Sequence, residues 1–233
     1  MPATLYLIPN LLGETAIQRV MPDYNIKIIN QLKHFIIETP KNANALLKKA
    51  GVNTPFEGIT FYTLDEHTRP DDLSDILDPL VKGLDVGLLT DAGIPSIADP
   101  GELVVSWAHE NKVKVVPLIG PSSIFLALAA SGLNAESFTF HGYLPVKPEE
   151  RKRRIKELDV TARKTKYTQI FIETPYRNQS LLQDIVKICH PDTKLCVAMN
   201  ITTQNESIRT FPIYEWQMRN YKVDKLPAVF LIG

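Results

Sequence analysis

Along the first half of the chain, short aliphatic and β-branched runs alternate with stretches in which apolar residues recur every three or four positions. The runs Thr4–Ile8, His34–Ile37, Ile59–Tyr62, Val86–Leu89 and Val113–Leu118 predict strands. The stretches between them, Asn42–Ala50, Asp71–Val81 and Glu102–Asn111, predict helices. Alternation of this kind predicts a largely parallel sheet with helices on its faces. Ligands of such sheets gather at the carboxyl ends of the strands.

After Pro121 the pattern changes. Ser122 can cap a helix that is apolar on all sides, stops at Gly132 and should therefore be buried. Strands follow over Phe138–Phe140, Thr168–Ile172, Lys194–Met199, Ser207–Phe211 and Ala228–Ile232, with helices over Glu149–Leu158 and Leu181–Ile188. Here strands succeed one another more directly, which predicts a mixed sheet. The reading is an α/β protein of two domains, 1–118 and 119–233, with the boundary near Pro117–Ser122.

Composition narrows the chemistry. The 233 residues, 44% hydrophobic and 22% charged, suit a globular protein with a substantial core. Lys+Arg and Asp+Glu both number 26, so no overall field attracts a polyanion or an anionic membrane, and any such site must be local. Cys189 and Cys196 form no metal-like pair and read as reduced core thiols of a cytoplasmic protein. The N-terminus lacks a positive n-region and a cleavage site, so it reads as a strand rather than a leader. No apolar run approaches the ~20 residues that span a bilayer, which argues against a membrane partner.

The eleven glycines never form G-x-G, which removes the standard dinucleotide fingerprint. Signatures of P-loop NTPases, α/β-hydrolases and zinc proteases are absent too. His34, His67, His109, His141 and His190 are scattered, with no carboxylate or cysteine at ligand spacing, so no metal is expected.

The densest local signal is Leu88-Leu89-Thr90-Asp91-Ala92-Gly93-Ile94-Pro95-Ser96-Ile97-Ala98-Asp99-Pro100-Gly101. A buried strand runs into a Gly/Pro turn, and a second turn precedes the next helix. Gly93 has no side chain to hold a ligand away from the backbone. Asp91 either holds a charged or hydroxylated part of a ligand or is a plain turn residue.

This segment resembles the second cofactor loop of the tetrapyrrole methylase superfamily, in the form S-D-A-G-T-P-x-I-x-D-P-G of its small-subunit ribosomal RNA (cytidine) 2′-O-methyltransferase branch. Thr90 and Ile94 replace the usual Ser and Thr. Further matches follow in order: Pro117-Leu118-Ile119-Gly120-Pro121-Ser122-Ser123, Ala130-Ser131-Gly132-Leu133, Gly142-Tyr143-Leu144-Pro145-Val146-Lys147 and Glu173-Thr174-Pro175-Tyr176-Arg177. At the start, Leu7-Ile8-Pro9-Asn10 and Leu12-Gly13 are similar to V-P-T-P-I-G-N-L. Two places depart: Glu38-Thr39-Pro40-Lys41 stands for E-D-T-R, and Ala198-Met199-Asn200-Ile201-Thr202 for A-R-E-L-T-K, each losing charged groups.

The resemblance implies a two-domain, usually dimeric methyltransferase that holds S-adenosylmethionine in the cleft between its domains. Carried over by motif, Asp91, Gly93, Ile94, Pro95, Ile97, Ser122 and Ser123 would touch the cofactor from one side. Glu173, Ala198, Asn200, Pro227 and Ala228 would face it from the second domain. The acceptor would be small-subunit ribosomal RNA, and a ribose hydroxyl, a weak nucleophile, gains from a nearby base. Glu173 is the first candidate for that base and Asp99 the second. Each has a structural alternative, as an ion pair with Arg177 and as a helix N-terminal residue.

From Lys147 to Lys166 nine basic residues face four acidic ones, a local net charge of +5. That makes Lys147, Arg153, Arg154 and, further on, Arg177 candidates for substrate phosphates, against the alternative of a solvated helix face. Two other functions stay open: methylation of a tetrapyrrole or another small molecule, and a non-catalytic S-adenosylmethionine-binding module.

Overall fold

The computed structural model describes residues 3–53, 56–65, 68, 73–223 and 225–233. The first two residues of the helix expected over Asp71–Val81, and His67, lie outside the described residues. The chain divides into two compact units, the first ending at Ser122 and the second beginning at Ser123.

Unit 1 comprises β1 (Thr4–Ile8), α1 (Asp23–Gln31), β2 (His34–Ile37), α2 (Pro40–Lys49), β3 (Thr60–Thr63), α3 (Leu73–Val81), β4 (Val86–Leu89), α4 (Glu102–Glu110) and β5 (Lys114–Pro117). Its five strands lie in the order β3-β2-β4-β1-β5, every pair parallel. Successive strand residues point to opposite faces. Ile8, Phe35, Ile37 and Leu89 pack against Leu46 and Leu47 of α2, whereas Leu5, Ile36, Val86 and Leu88 pack against Leu77 of α3 and Val104 of α4. Burial of both faces explains why these strands read as continuous apolar runs.

The connection from β1 runs past β4 to β2, while that from β4 runs past β1 to β5. The chain therefore departs in opposite directions from these two neighbours, and a crevice opens between their carboxyl ends. Two details differ from the sequence reading. β3 starts at Thr60, one residue later than expected, at the exposed edge of the sheet. Helix α1, which the pattern left unassigned, buries Asn25, Ile28 and Ile29, and Asn25 Nδ2 donates to the Ile119 carbonyl over 2.6 Å.

Unit 2 comprises α5 (Ser123–Ser131), β6 (Phe138–Tyr143), α6 (Pro148–Thr165), β7 (Thr168–Ile172), α7 (Asn178–Ile188), β8 (Lys194–Met199), β9 (Ser207–Pro212), α8 (Ile213–Gln217) and β10 (Ala228–Ile232). The order is β6-β7-β10-β8-β9, with β6–β7 parallel and the other pairs antiparallel, a mixed sheet as the spacing predicts. Phe171, Phe230, Leu195 and Val197 centre a core closed by Ile155 and Leu158 of α6 and Leu181 and Ile185 of α7.

Helix α5 corrects the expectation of full burial: Ile124, Ala127, Leu128 and Ser131 are buried, but Phe125 is 51% and Leu126 39% exposed. Helix α6 runs seven residues beyond the expected Leu158, because Asp159 and Ala162 continue its buried face. It ends at Lys166, whose left-handed φ of 64° lets its N–H meet the Ala162 carbonyl. Among the described residues no helix is long and apolar enough to cross a membrane.

Candidate functional site

In unit 1 three strand ends are laced together. Asn10, just past β1, donates from Nδ2 to the carbonyls of Thr90 (3.0 Å) and Asp91 (3.3 Å), and exchanges backbone bonds with Gly93 (2.8 and 3.1 Å). Beyond β2, Glu38 Oε2 accepts from Thr90 Oγ1 (3.1 Å) and from the Asp91 N–H (2.9 Å). Asp91 Oδ1 in turn accepts from Thr39, both Oγ1 (2.7 Å) and N–H (3.2 Å). The departure Thr39 therefore has a job here, since its hydroxyl clamps the Asp91 carboxylate.

Gly93 adopts φ +82°, which a side chain disfavours. A Cβ there would come no nearer than 3.6 Å to Leu12, so conformation rather than space requires the glycine. Gly120 is the opposite case: its Cβ would lie 2.3 Å from Pro9 Cβ. Further along, Ser96 and Ala98 also take left-handed conformations, with φ 69° and 64°. They are held by Asp99, whose carboxylate accepts from the Ser96 N–H (2.9 and 3.0 Å) and the Gly101 N–H (2.7 Å). Asp99 thus organises this loop through backbone donors.

Around this loop Ile94 is half-buried, Pro95 buried and Ile97 exposed. Ser122 is buried as the last residue of unit 1, and Ser123 opens α5.

In unit 2 the antiparallel placement of β10 sets its start beside the ends of β7 and β8. The Pro227 carbonyl accepts from the Asn200 N–H (3.1 Å), Ala228 pairs with Met199, and the Lys225 N–H reaches the Pro175 carbonyl (3.1 Å). Pro227 is exposed, and Asn200 and Ala228 are half-buried. Ala198 lies one residue inside β8 and is fully buried, so its side chain has no surface to offer a ligand.

Glu173 follows β7 directly. Its Oε1 accepts from the Thr174 N–H (2.6 Å) and Arg177 Nη2 (2.5 Å), and its side chain is 0% exposed. The resemblance sets this carboxylate at an accepting hydroxyl; in the structure it is buried in its pair with Arg177, the structural alternative named for it. Among the described residues Glu173 Oε2 has no partner, and the same is true of Asn178 Oδ1 and Thr202 Oγ1 at this end of the sheet. The motifs did not single out Asn178, which is fully buried and donates from Nδ2 to the Leu226 carbonyl over 2.6 Å, fixing the approach to Pro227. Asn10 was equally missed, although Pro-Asn straight after a strand is a turn signal.

The basic segment sorts into two classes on α6. Arg151 is buried against Asp184 (2.6 Å), Arg163 bonds Asp159 (3.1 Å), and Lys152 and Lys147 pair with Glu149 and Glu150. Arg154 bonds Glu157 (3.2 Å) and donates to His141 Nδ1 (3.2 Å). Arg154 and Arg177 therefore each pair with a carboxylate of the same chain, Arg154 at the surface and Arg177 with the buried Glu173. Arg153, Lys156 and Lys164 are exposed, form no ion pair among the described residues and share one helix face with Val160. Because Arg154 can only donate, His141 Nδ1 must accept, and Nε2–H then donates to Gln169 Oε1 (2.8 Å). Burial pushes the His141 pKa down, the Gln169 bond opposes this and Arg154 adds to it. Among the described residues no group of three or more His, Cys, Asp or Glu side chains is placed to hold a metal.

The sequence pattern of the tetrapyrrole (corrin/porphyrin) methylases matches residues 26–217. The chain belongs to the tetrapyrrole methylase family. The methylase uses S-adenosylmethionine as methyl donor. It is 31% identical over 213 residues to "Ribosomal RNA small subunit methyltransferase I" of Vibrio cholerae, covering 91% of this chain and 69% of that protein. With the protein of the same name from Streptococcus pyogenes serotype M1 the identity is 32% over 217 residues, 91% of this chain and 69% of the other. Among solved structures, the methyltransferase CobJ superposes with a TM-score of 0.63 at 16% identity, over 99% of this chain and 93% of its own, which shows the shared fold.

Proposed function

We propose that the methylase transfers a methyl group to a ribose hydroxyl of small-subunit ribosomal RNA. The observation that carries this reading is the similarity over 91% of the chain to proteins named for that RNA. The exposed row Arg153, Lys156 and Lys164 supports it, because a neutral protein that grips RNA needs a local set of unpaired cations. The likeness to CobJ concerns the fold alone and does not favour a tetrapyrrole acceptor.

The residues fit the methyl donor. S-adenosylmethionine offers an ammonium, ribose hydroxyls and an adenine amine, all donors, and among the described residues unit 2 has acceptors without partners at Glu173, Asn178 and Thr202, buried atoms that a ligand would reach only by displacing what covers them. Leaving each unmet costs about 1–3 kcal/mol, so a ligand that supplies donors stabilises this strand end. In unit 1 the loop Asp91–Ile97 and Ser122 would hold it, and in unit 2 Ser123, Asn200, Pro227 and Ala228. Bound there, the donor supplies an electrophilic methyl group. The protein's part is to align the accepting hydroxyl and exclude water. Asn10, Glu38 and Asp99 fix the first loop in advance, and Arg177, through Glu173, fixes the second.

The methylase acts as a homodimer in the cytoplasm, where its RNA is found. The exposed apolar pair Phe125–Phe138, in edge-to-face contact at 6.0 Å, is the surface a second copy would cover.

The test is incubation with labelled S-adenosylmethionine and separated RNA and metabolite fractions. Label in small-subunit RNA is the expected result, and label in metabolites alone overturns it. Reversing Arg153, Lys156 and Lys164 to Glu should weaken RNA binding and lower its salt slope by about 0.7–0.9 per lost phosphate contact, with cofactor affinity unchanged.

A further inference from the structure

A crevice of about 240 Å³ lies in unit 1 between the strand-end loops of β1 and β4 and one side of α2. Leu12, Ala45 and Leu46 give it apolar walls, and Asn42, Lys49 and Asp91 bring polar groups to it. It sits at the point where the chain leaves β1 and β4 in opposite directions, the usual place for a ligand in a parallel sheet. Of the residues carried over as cofactor contacts, Asp91 alone lines it.

Size and chemistry limit the occupant. Drug-sized ligands fill pockets of about 300–1,000 Å³, so this crevice is small for the whole cofactor and suits a smaller group. Thr39, bonded to Asp91, caps one end of α2, and Lys49 lies in the last turn, about 15 Å further along the helix axis. The crevice is thus elongated, with a carboxylate and an amide toward one end and an ammonium at the other. Lys49 Nζ donates to the Thr15 carbonyl (3.1 Å) and to Glu14 Oε1 (2.7 Å), and of these two partners Glu14 is the exchangeable one, being 92% exposed. A pair of that kind contributes about 0–1 kcal/mol, so a phosphate can displace it at little cost.

We propose that this crevice holds one nucleotide of the RNA, unstacked from its neighbours. Its flat base lies against Leu12, Ala45 and Leu46, and its phosphate is met by Lys49 in exchange for Glu14. Asp91 and Asn42 take the hydroxyl and base-edge hydrogen bonds. This places the RNA beside the loop that carries Gly93, and it rests on the RNA reading above.

Two variants test it. Ala45→Trp fills the crevice from an exposed helix position that tolerates bulk, and Lys49→Met removes the ammonium while keeping the stem. Each is compared with the parent for S-adenosylmethionine affinity by calorimetry and for methyl transfer across a range of small-subunit RNA concentrations. Cofactor Kd should stay within twofold while KM for RNA rises about tenfold or more, and Lys49→Arg should recover most of the loss. Lys49→Met should also lower the salt slope of RNA binding by about 0.7–0.9. An unchanged KM in both variants overturns the crevice and leaves the RNA reading standing. An equal loss of cofactor affinity assigns the crevice to the cofactor and overturns the proposal as well. If the parent transfers no methyl to any RNA, the reading beneath it fails and this inference fails with it.

Discussion

At the strand ends of unit 1 most polar groups satisfy one another, although Ser96 Oγ is buried without a partner among the described residues. Glu38, Thr39, Thr90, Asp91, Asn10 and Gly93 form a closed set, and Asp99 closes a second one with Ser96 and Gly101. At those of unit 2 an ion pair and an amide are each half used. Four of the six buried side-chain atoms without a partner among the described residues lie there, on Glu173, Arg177, Asn178 and Thr202. The first end is nearly complete in its own hydrogen bonds, whereas the second leaves more of its buried groups unmet among the described residues; on the proposed function, a ligand would complete it. Ligand binding should therefore stiffen unit 2 more than unit 1.

The largest test of this contrast is Arg177→Ala, which leaves the buried Glu173 carboxylate without its cation. Urea unfolding should show a loss of about 2–3 kcal/mol, reduced from the full cost of a broken buried pair because Arg177 is 29% exposed. Glu173→Gln should lose less and retain turnover per folded molecule. A collapse of turnover without loss of stability would return Glu173 to the role of base.

Asp99→Ala comes next. It should cost about 1–2 kcal/mol and weaken cofactor affinity about tenfold in calorimetry, since two backbone donors lose their acceptor and two left-handed residues lose their hold. Normal affinity would show that the loop keeps its shape without the carboxylate. Gly93 follows, at about 1 kcal/mol for Ala. Because the cost is one of conformation, Asn should be tolerated better than Val, and equal loss in both would instead point to crowding.

The smallest effect concerns pH. The folded His141 titrates below its unfolded value, so the unfolded chain binds the extra proton first as pH falls. Its contribution is intact above the unfolded value near 6.5 and declines as pH drops toward the folded one. His141→Asn should narrow the difference in unfolding midpoint between pH 7.5 and pH 5, and an unchanged difference would show that His141 is not the group responsible.

Much of the frame is visible in the sequence. β1, β2, β4, β7, β8 and β10 occupy the runs read from pattern, because strands buried on one or both faces leave an unbroken apolar record. Helix α1 escapes, since its sequence DYNIKIINQ mixes β-branched and polar residues and its cap, Pro22, makes no side-chain bond. Val160, Thr161 and Thr165 hide the second half of α6, where packing overrides weak propensity. The motifs find Asp91, Gly93, Asp99 and Glu173 as residues, but not what occupies their side chains. That depends on backbone N–H groups which only the fold brings near.

The bond from Asn10 to the Thr90 carbonyl joins positions 80 residues apart, and β1 lies between β4 and β5 in the finished sheet. A partly made unit 1 therefore has no Gly93 turn of native shape, whatever its local sequence prefers. Closing a loop of that length is slow compared with forming a helix, so the turn is among the last features to appear during folding. On the proposed function, a ligand that recognises this turn would act as a selective trap for finished molecules. At a hundredfold excess over Kd it adds about 2.7 kcal/mol against unfolding.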